Sequence, residues 1–266
     1  MAVLGLDIGS RSVDAVWLSD DGVIVDAAVA DSGYDPAGAA RLFVDRRAHD
    51  AIVATGYGRH SARAAFGADV ITEIKAYAVG SSRLFGSATS VLDIGGQDTK
   101  VIALGEGGKV VDFEMNDKCA AGTGKFLEVM ARALGFSLEE MASASMAAEK
   151  GLPITSMCTV FAESEVTGLV HRGEDRAAIA RGLHESIAKR TLSSLKRVGA
   201  SGPLVFAGGV AKNPAMVALI RMGFDGDVIV PGEPRADGLT TDAQVVGAYG
   251  AALCGLGERV SVAGGE

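Results

Sequence analysis

Two aspartates, three glycine turns and two cysteines are the residues of this chain whose types and spacing can do chemistry. Asp7 stands in "GLDIGSRS" and Asp93 in "VLDIGGQD", each between two apolar runs. A third turn, Phe206-Ala-Gly-Gly-Val210, separates an apolar run from a helix-like one. Glycine in such a turn lets the backbone approach a phosphate and aim N–H groups at it. A carboxylate at a strand end can hold Mg2+, directly or through water, and orient an attacking water. A purine and ribose can pack flat on a turn of the third kind. Two Asp-Ile-Gly turns followed by Ala-Gly-Gly therefore predict a nucleotide site. Neither a Walker A lysine motif nor a G-x-G-x-x-G fingerprint occurs, which excludes the P-loop and Rossmann alternatives.

The cysteines pose a separate problem. Cys119 in "NDKCAAGTGKFLE" and Cys158 in "SMCTVFAESEV" each read as standing at a helix N-terminus. Such an end carries partial positive charge and unpaired N–H groups, which favour a thiolate and can donate to a cluster sulfide. Two thiolates per chain are too few for a site that takes four protein ligands. A two-fold dimer would supply four. From spacing alone, two buried cysteines at helix starts are the favoured reading.

The elements that must position these residues alternate between strand and helix. "AVLGLDIG" reads as a strand, and "VDAVWLSDDGVIVDAAV" as two more joined at Asp21-Gly22. "DPAGAARLFVDRRAH" reads as a helix opened by Asp35 and Pro36, "AIVATG" as a buried strand, and "ITEIKAYAVGSSRLFG" as a helix capped by Thr72. "SVLDIGGQDTKVIALGEGGKVVDFEMN" then repeats the opening strand–turn–strand–strand theme. Helices are expected over 124–134, 137–150, 159–171 and 175–198. A strand, glycine turn and helix follow in "LVFAGGVAKNPAMVALI", then a short strand at "DVIVP" and a small-residue helix in "TTDAQVVGAYGAALCGLG"; the tail 258–266 reads as frayed. The repeat predicts a duplicated β-β-β-α unit, hence an α/β protein of two lobes facing a cleft. The expected boundaries are 1–87 for the first lobe, completed by a C-terminal helix at 241–258, and 88–240 for the second.

Composition narrows the function classes. The chain has 266 residues, 48% hydrophobic, with 25 Lys plus Arg against 33 Asp plus Glu, a formal charge of −8. A mildly acidic chain without a basic run is a poor partner for nucleic acid or an anionic membrane. No apolar run approaches the ~18 residues of a spanning helix. The N-terminus lacks a basic n-region and long apolar h-region, so a cytoplasmic protein is expected. Three cysteines make no disulfide framework.

With the turns in this order, the chain resembles the superfamily of sugar kinases, actin and heat-shock chaperone ATPases, whose ribonuclease H-like, actin-like fold has an interlobe nucleotide cleft. The resemblance implies ATP or ADP as ligand, a phosphate-1 loop at Asp7–Ser12 (Gly9, Ser10, Arg11, Ser12), a phosphate-2 loop at Asp93–Thr99 (Gly95, Gly96, Gln97, Asp98), and an adenosine loop at Gly208 and Gly209, with Asn213 beside it. Asp7, Asp93 and Gln97 become the expected catalytic residues, Gln97 either positioning the hydrolytic water or capping its turn. More narrowly, "TGYGR", "TEIKA", "LDIGGQD", "FAGGVAKN" and both cysteine segments look very like the ATPase activators of 2-hydroxyacyl-CoA dehydratases, a group that includes the ATPase subunits of benzoyl-CoA reductase. That likeness implies a homodimer with one bridging [4Fe–4S] cluster held by Cys119 and Cys158 of each copy. It also implies Mg2+ with the nucleotide, ferredoxin or flavodoxin as electron donor, and an iron–sulfur dehydratase or reductase as acceptor.

The chain departs from that pattern where relatives carry a lysine near the end of phosphate-1; here Asp14 stands, and Arg11 is either a substitute or a solvated turn residue. Tyr77 replaces a common histidine and reads as core-facing. Glu163 and Glu165 read as partners of a helix dipole, Cys254 as a packed thiol, and His171 and His184 as ordinary, partly exposed residues. Other functional readings are a benzoyl-CoA reductase subunit with the same chemistry, a sugar or acid kinase without a cluster, and a nucleotide-sensing module without turnover.

Overall fold

The computed structural model describes residues 2–156, 158–233 and 241–257. The expectation for the tail 258–266 lies outside the described residues. β1 (Val3–Ile8), β2 (Ser12–Leu18) and β3 (Ile24–Asp31) form an antiparallel meander. β1 is buried along its whole length, whereas β3 alternates half-buried and exposed residues, as an edge strand with one wet face should. Helix α1 (Pro36–Val44) starts where Asp35 accepts from the Gly38 N–H at 2.9 Å. The chain then returns through β4 (Ala51–Thr55), parallel to β1, α2 (Arg59–Phe66), β5 (Asp69–Val70) and α3 (Glu73–Leu84). α2 has no counterpart in the sequence reading: it begins at Gly58 without a side-chain cap and buries only Ala62, so it carries almost no apolar stripe.

The second half repeats this plan. β6 (Ser90–Ile94), β7 (Thr99–Leu104) and β8 (Val110–Asn116) form another antiparallel meander. Four helices follow: α4 (Gly124–Leu134), α5 (Leu138–Ala147), α6 (Thr159–His171) and α7 (Arg176–Arg197). β9 (Leu204–Ala207) lies parallel to β6, and α8 (Pro214–Gly223), β10 (Val228–Ile229) and α9 (Val246–Gly255) complete the described chain. The two five-stranded sheets have the orders β3-β2-β1-β4-β5 and β8-β7-β6-β9-β10, the same topology twice. The duplicated α/β core expected from the repeated Asp-Ile-Gly theme is therefore present.

One apolar core packs α4 to α8 on the second sheet, and another packs α1 and α2 on the first. The third surrounds α3 and α9 and draws on both sheets, with Val3 and Val16 from the first and Val91, Ile102 and Val205 from the second. The halves are joined through this shared layer. Its helices touch backbone to backbone: a Cβ on Gly250 would stand 2.7 Å from the Ala76 carbonyl carbon. Among the described residues no helix is long and apolar enough to cross a membrane.

Candidate functional site

The duplicated fold aims two strand ends at one place. Asp7 ends β1 and faces Asp14 in the β1–β2 register; Asp93 ends β6 and faces Lys100 in the β6–β7 register. Each turn closes alike, with Gly9 N–H donating to the Ser12 carbonyl at 2.9 Å and Gly95 N–H to the Asp98 carbonyl at 3.0 Å. A cleft of about 630 Å³ opens between the two turns. Its walls include Asp7, Gly9, Ser10, Arg11, Ser12, Asp93, Gly95, Gly96, Asp98, Gly208, Gly209 and Asn213. Twelve of the thirteen residues read from sequence as nucleotide or catalytic groups thus share one cavity. The exception is Gln97, exposed at the tip of its turn and outside that lining.

The floor of the cleft is crowded with carboxylates. Lys100, 2% exposed, sits 2.6 Å from Glu73 of α3 and 2.8 Å from Asp93, and also binds Asp98. The Tyr77 ring lies 5.4 Å from its ammonium. Burial alone would pull the Lys100 pKa down; the three carboxylates outweigh it and hold the ammonium charged, well above the ordinary lysine value. Asp93 is raised by burial despite this partner. Among the described residues, Asp7 has no cation in contact. Burial, with Glu73 adding, pushes it up to about 8, with Lys100 only partly offsetting. Asp14 is raised well above the usual carboxylate range by burial and then by Asp7. One oxygen each of Asp14 and Asp93 is buried without a hydrogen bond.

Two glycines let the chain pass these aspartates. Gly56 follows β4 and Gly208 follows β9, both at φ +84°, and a Cβ on Gly56 would stand 2.5 Å from Asp7 Oδ1. Gly208 crowds Asp93 in the same way. The Thr55–Arg59 turn is thus the first-half counterpart of the Ala-Gly-Gly turn, a site element that the sequence reading noted only as a family match. Lys100 and Glu73 were also missed as site residues. The signal for Lys100 lay in the repeat itself, which aligns it with Asp14.

Arg11 pairs with Glu128 of α4 at 2.8 Å across the cleft mouth while remaining half-exposed. Asn213 caps α8 through the Met216 N–H and donates from its amide toward His184 Nε2 at 3.2 Å. The expectation that His184 is partly exposed is corrected: it is fully buried, its Nδ1 donates to the Ala180 carbonyl at 2.8 Å, and burial lowers its pKa. Tyr77 is buried as expected and lines the same cleft; His171 is exposed.

Cys119 and Cys158 are both free and exposed. Cys158 is the N-cap residue of α6. Cys119 does not stand at a helix start, which corrects the sequence reading: α4 begins after Thr123, and Cys119 lies in the preceding loop. Asn116 holds that loop, donating to the Cys119 carbonyl at 2.7 Å and accepting from the Cys119 N–H at 3.3 Å. Glu165 does not serve the α6 dipole alone. It clamps the approach to Cys158, accepting from the Thr155 and Ser156 N–H groups at 2.9 Å, and these bonds lower its pKa against the pull of burial. Glu163 is exposed. Cys254 packs partly buried against the α3–α9 core. Among the described residues, no cluster of three or more His, Cys, Asp or Glu side chains is arranged to hold a metal ion.

A duplicated two-sheet fold with an aspartate at each strand end and glycine turns facing a cleft is the architecture of actin-like ATPases. The family model described as the BadF/BadG/BcrA/BcrD ATPase family matches residues 4–255. The chain belongs to this ATPase family. Among its relatives, the activator of lactoyl-CoA dehydratase from Anaerotignum propionicum is 42% identical over 95% of this chain and 96% of that protein. The (R)-2-hydroxyglutaryl-CoA dehydratase activating ATPase from Acidaminococcus fermentans is 37% identical over 94% of this chain and 95% of its own. A solved structure, the activator of the 2-hydroxyisocaproyl-CoA dehydratase from Clostridium difficile with bound ADPNP, superposes with a TM-score of 0.85 at 36% identity, covering 97% of this chain and 95% of that one. The BadF/BadG/BcrA/BcrD fold thus accounts for the sheet duplication and the cleft alike.

Proposed function

We propose that this chain is an ATP-dependent electron activator: it hydrolyses ATP in the cleft and delivers one low-potential electron to an iron–sulfur 2-hydroxyacyl-CoA dehydratase or a similar reductase. The observation that carries the reading is the pair of exposed free thiols, one of them in the loop hydrogen-bonded to the second phosphate-side turn. Names of relatives support the acceptor class.

In this reading residues 1–87 with 241–258 form one lobe and 88–240 the other. Gly9, Ser10, Arg11 and Ser12 hold the phosphates from one side, Gly95, Gly96 and Asp98 from the other, and Gly208, Gly209 and Asn213 carry the adenosine. The buried unbonded oxygen of Asp93 and the partnerless carboxylate of Asp7 suit a Mg2+ ion that keeps most of its waters and phosphate oxygens. Asp7 and Asp93 would hold that ion and orient the attacking water. Gln97, exposed at the tip of its turn, is the third catalytic member in this reading and has to turn inward to reach the nucleotide.

The donor set of Cys119 and Cys158 also fits a [4Fe–4S] cluster shared by two copies of the chain: both thiols are soft, free and at the surface, and one chain alone has too few. Such a cluster supplies one-electron chemistry at low potential. The chain's own part is to set exposure and hydrogen bonding around those sulfurs, and to change them with the nucleotide state of the cleft. A cytoplasmic setting with ferredoxin or flavodoxin as donor completes the proposal.

Anaerobic purification with iron and sulfide analysis is the test. The expected result is a brown homodimer with about two irons per chain, lost in Cys119→Ser and in Cys158→Ser. An iron-free protein that hydrolyses ATP fully after anaerobic reconstitution would leave an ATPase or kinase without a cluster and sink the proposal. Co-purification in a stable hetero-oligomer would favour the reductase-subunit form.

A further inference from the structure

The two exposed cysteines are anchored differently. The Cys119 loop, which runs from the end of β8 to the start of α4, is bonded to cleft-side turns of both halves. From the second half, Thr99 donates its hydroxyl to the Gly122 carbonyl at 2.8 Å. Gly124 N–H donates to the Gly95 carbonyl at 2.9 Å and Lys125 N–H to the Gly96 carbonyl at 2.7 Å. The first amides of α4 are thereby fixed to the very turn that faces the phosphates. From the first half, the Tyr57 hydroxyl donates to the Asp117 carbonyl at 3.1 Å, two residues before Cys119. Tyr57 follows Gly56, whose backbone packs on Asp7, and the Gly58 N–H donates to the Ile8 carbonyl at 2.9 Å. A continuous path thus runs from the end of β1, through the Gly56–Gly58 turn and across the cleft, to the Cys119 loop.

Among the described residues, Cys158 has no hydrogen bond that is a counterpart to these links. Its approach segment is held by Glu165, seven residues further along its own chain and on the helix it caps, and its carbonyl accepts the Ala162 N–H at 2.8 Å inside that helix. Among the described residues, none of these hydrogen bonds around Cys158 reaches either aspartate turn.

We infer that Tyr57 and Thr99 are positioning residues that tie the Cys119 loop to the cleft from opposite halves, so that nucleotide binding changes the surroundings of Cys119 while those of Cys158 stay fixed. This rests on the reading of the cleft as a nucleotide site. A change in the distance between the halves has to break or reset the Tyr57–Asp117 bond, because its two ends ride on different sheets. A change in the conformation of the Gly95–Asp98 turn has to move Gly122 and the start of α4, because Thr99, Gly95 and Gly96 hold them directly. Both motions end at the same loop. The cysteines are therefore unequal partners: one carries the nucleotide signal and the other is a fixed support.

The test uses the full chain, kept anaerobic, stripped of iron and then returned to Mg2+ without chelator. Maleimide labelling is followed separately at Cys119 and Cys158 by peptide mass spectrometry, without nucleotide and with saturating ADP or a non-hydrolysable ATP analogue. Nucleotide binding itself is measured in parallel by equilibrium dialysis. The Cys119 labelling rate should change by about fivefold, the population shift that a single net hydrogen bond supports, while Cys158 changes less than about twofold. Tyr57→Phe and Thr99→Val, which remove only the hydroxyl contribution, should each shrink the Cys119 response, and Thr99→Ser should restore it. A purely structural role would not produce this nucleotide-dependent difference between two thiols. Equal responses at both cysteines, or a full Cys119 response in both Tyr57→Phe and Thr99→Val, would overturn the inference while leaving the nucleotide site intact. Failure of the wild-type chain to bind any adenine nucleotide would instead take down the nucleotide site and the inference with it.

Discussion

The two halves of the molecule repeat one sheet topology and differ in what stands opposite each strand-end aspartate. In the first half Asp7 faces Asp14; in the second Asp93 faces Lys100. Everything around these pairs is duplicated: the meander, the tight glycine turn, the parallel return strand and the left-handed glycine beside each aspartate. The electrostatic outcomes are opposite. The second half brings its own cation and binds Asp93, Asp98 and Glu73 to it. Among the described residues, the first half buries two carboxylates side by side with no cation in contact, and both are driven toward the protonated form. The lesson is that a duplicated fold can supply one settled wall and one unsettled wall to the same cleft. The unsettled wall is where an incoming cation gains most, because a low-dielectric site with an unpaired carboxylate is costly until a positive charge arrives.

The largest expected effect comes from erasing the difference on the settled side. Lys100→Met leaves Glu73, Asp93 and Asp98 buried without their cation, and breaking a buried pair of this kind costs about 3–5 kcal/mol. Urea unfolding of the nucleotide-free chain should show a loss of that order. A midpoint equal to wild type would mean that Lys100 does not settle its half, and the contrast between the halves would fail.

The next effect lies on the unsettled side. Asp7→Asn keeps shape and removes the charge, so it should cut ATP turnover by about a hundredfold or more, the range for losing a positioned proton-handling or metal-binding group. Cluster iron should be retained, since Cys119 and Cys158 lie outside the cleft lining. Steady-state hydrolysis assays alongside iron analysis measure both; unchanged turnover would remove Asp7 from the catalytic set.

A smaller effect is the pH dependence of the free chain. The folded pKa of Asp7, about 8, lies above its ordinary 3.8. The folded state therefore holds a proton that the unfolded state releases, and the stability from this group is fully present below 3.8 and lost as pH rises through about 8. Asp14 acts in the same sense. Lys100 is raised too, so its contribution persists throughout this window. Thermal unfolding midpoints of the metal-free, nucleotide-free chain should fall as pH rises toward 8, and Asp7→Asn should flatten that slope. A midpoint rising with pH over the same range would show that both carboxylates are ionised in the folded chain.

How much of this was legible in the sequence follows from what each feature depends on. The aspartate turns were readable because they are local: a strand, Asp-Ile-Gly and a second strand occupy a few consecutive residues. The duplication was readable because it repeats those residues. The role of Lys100 was not, because its meaning comes from α3, which brings Glu73 across from the other half. The Gly56 turn was quoted but not used, since its pairing with Gly208 emerges only when β4 and β9 are seen in equivalent places. Cys119 was read as standing at a helix N-terminus, yet the helix begins at Gly124, where its pattern predicts it, and leaves Cys119 in the preceding loop. Its first two amides bond to the Gly95 and Gly96 carbonyls, a contact between segments that spacing cannot reveal. His184 looked like a surface residue on a long helix; its burial depends on α8, whose cap Asn213 reaches it. Local chemistry was visible, and partners supplied by distant segments were not.

The smallest expected effect concerns the one proposed catalytic residue that the cleft does not hold. Gln97 is exposed at the tip of the second turn, between Gly96, which lines the cleft, and Asp98, which is bonded to Lys100. Its neighbour is thus anchored while its own side chain faces solvent. If the settled half stays rigid when nucleotide binds, Gln97 stays outside and contributes only solvation. If the turn changes conformation at Gly95 and Gly96, the amide can reach the position of an attacking water, where one net hydrogen bond is worth up to about tenfold. Gln97→Ala should therefore lower turnover by about tenfold with little change in nucleotide affinity. Single-turnover hydrolysis with separately measured binding distinguishes the cases. A turnover within experimental error of wild type would confine the catalytic set to the aspartates and leave the second half as a fixed wall; a tenfold loss would make its turn, though not its lysine, a moving part.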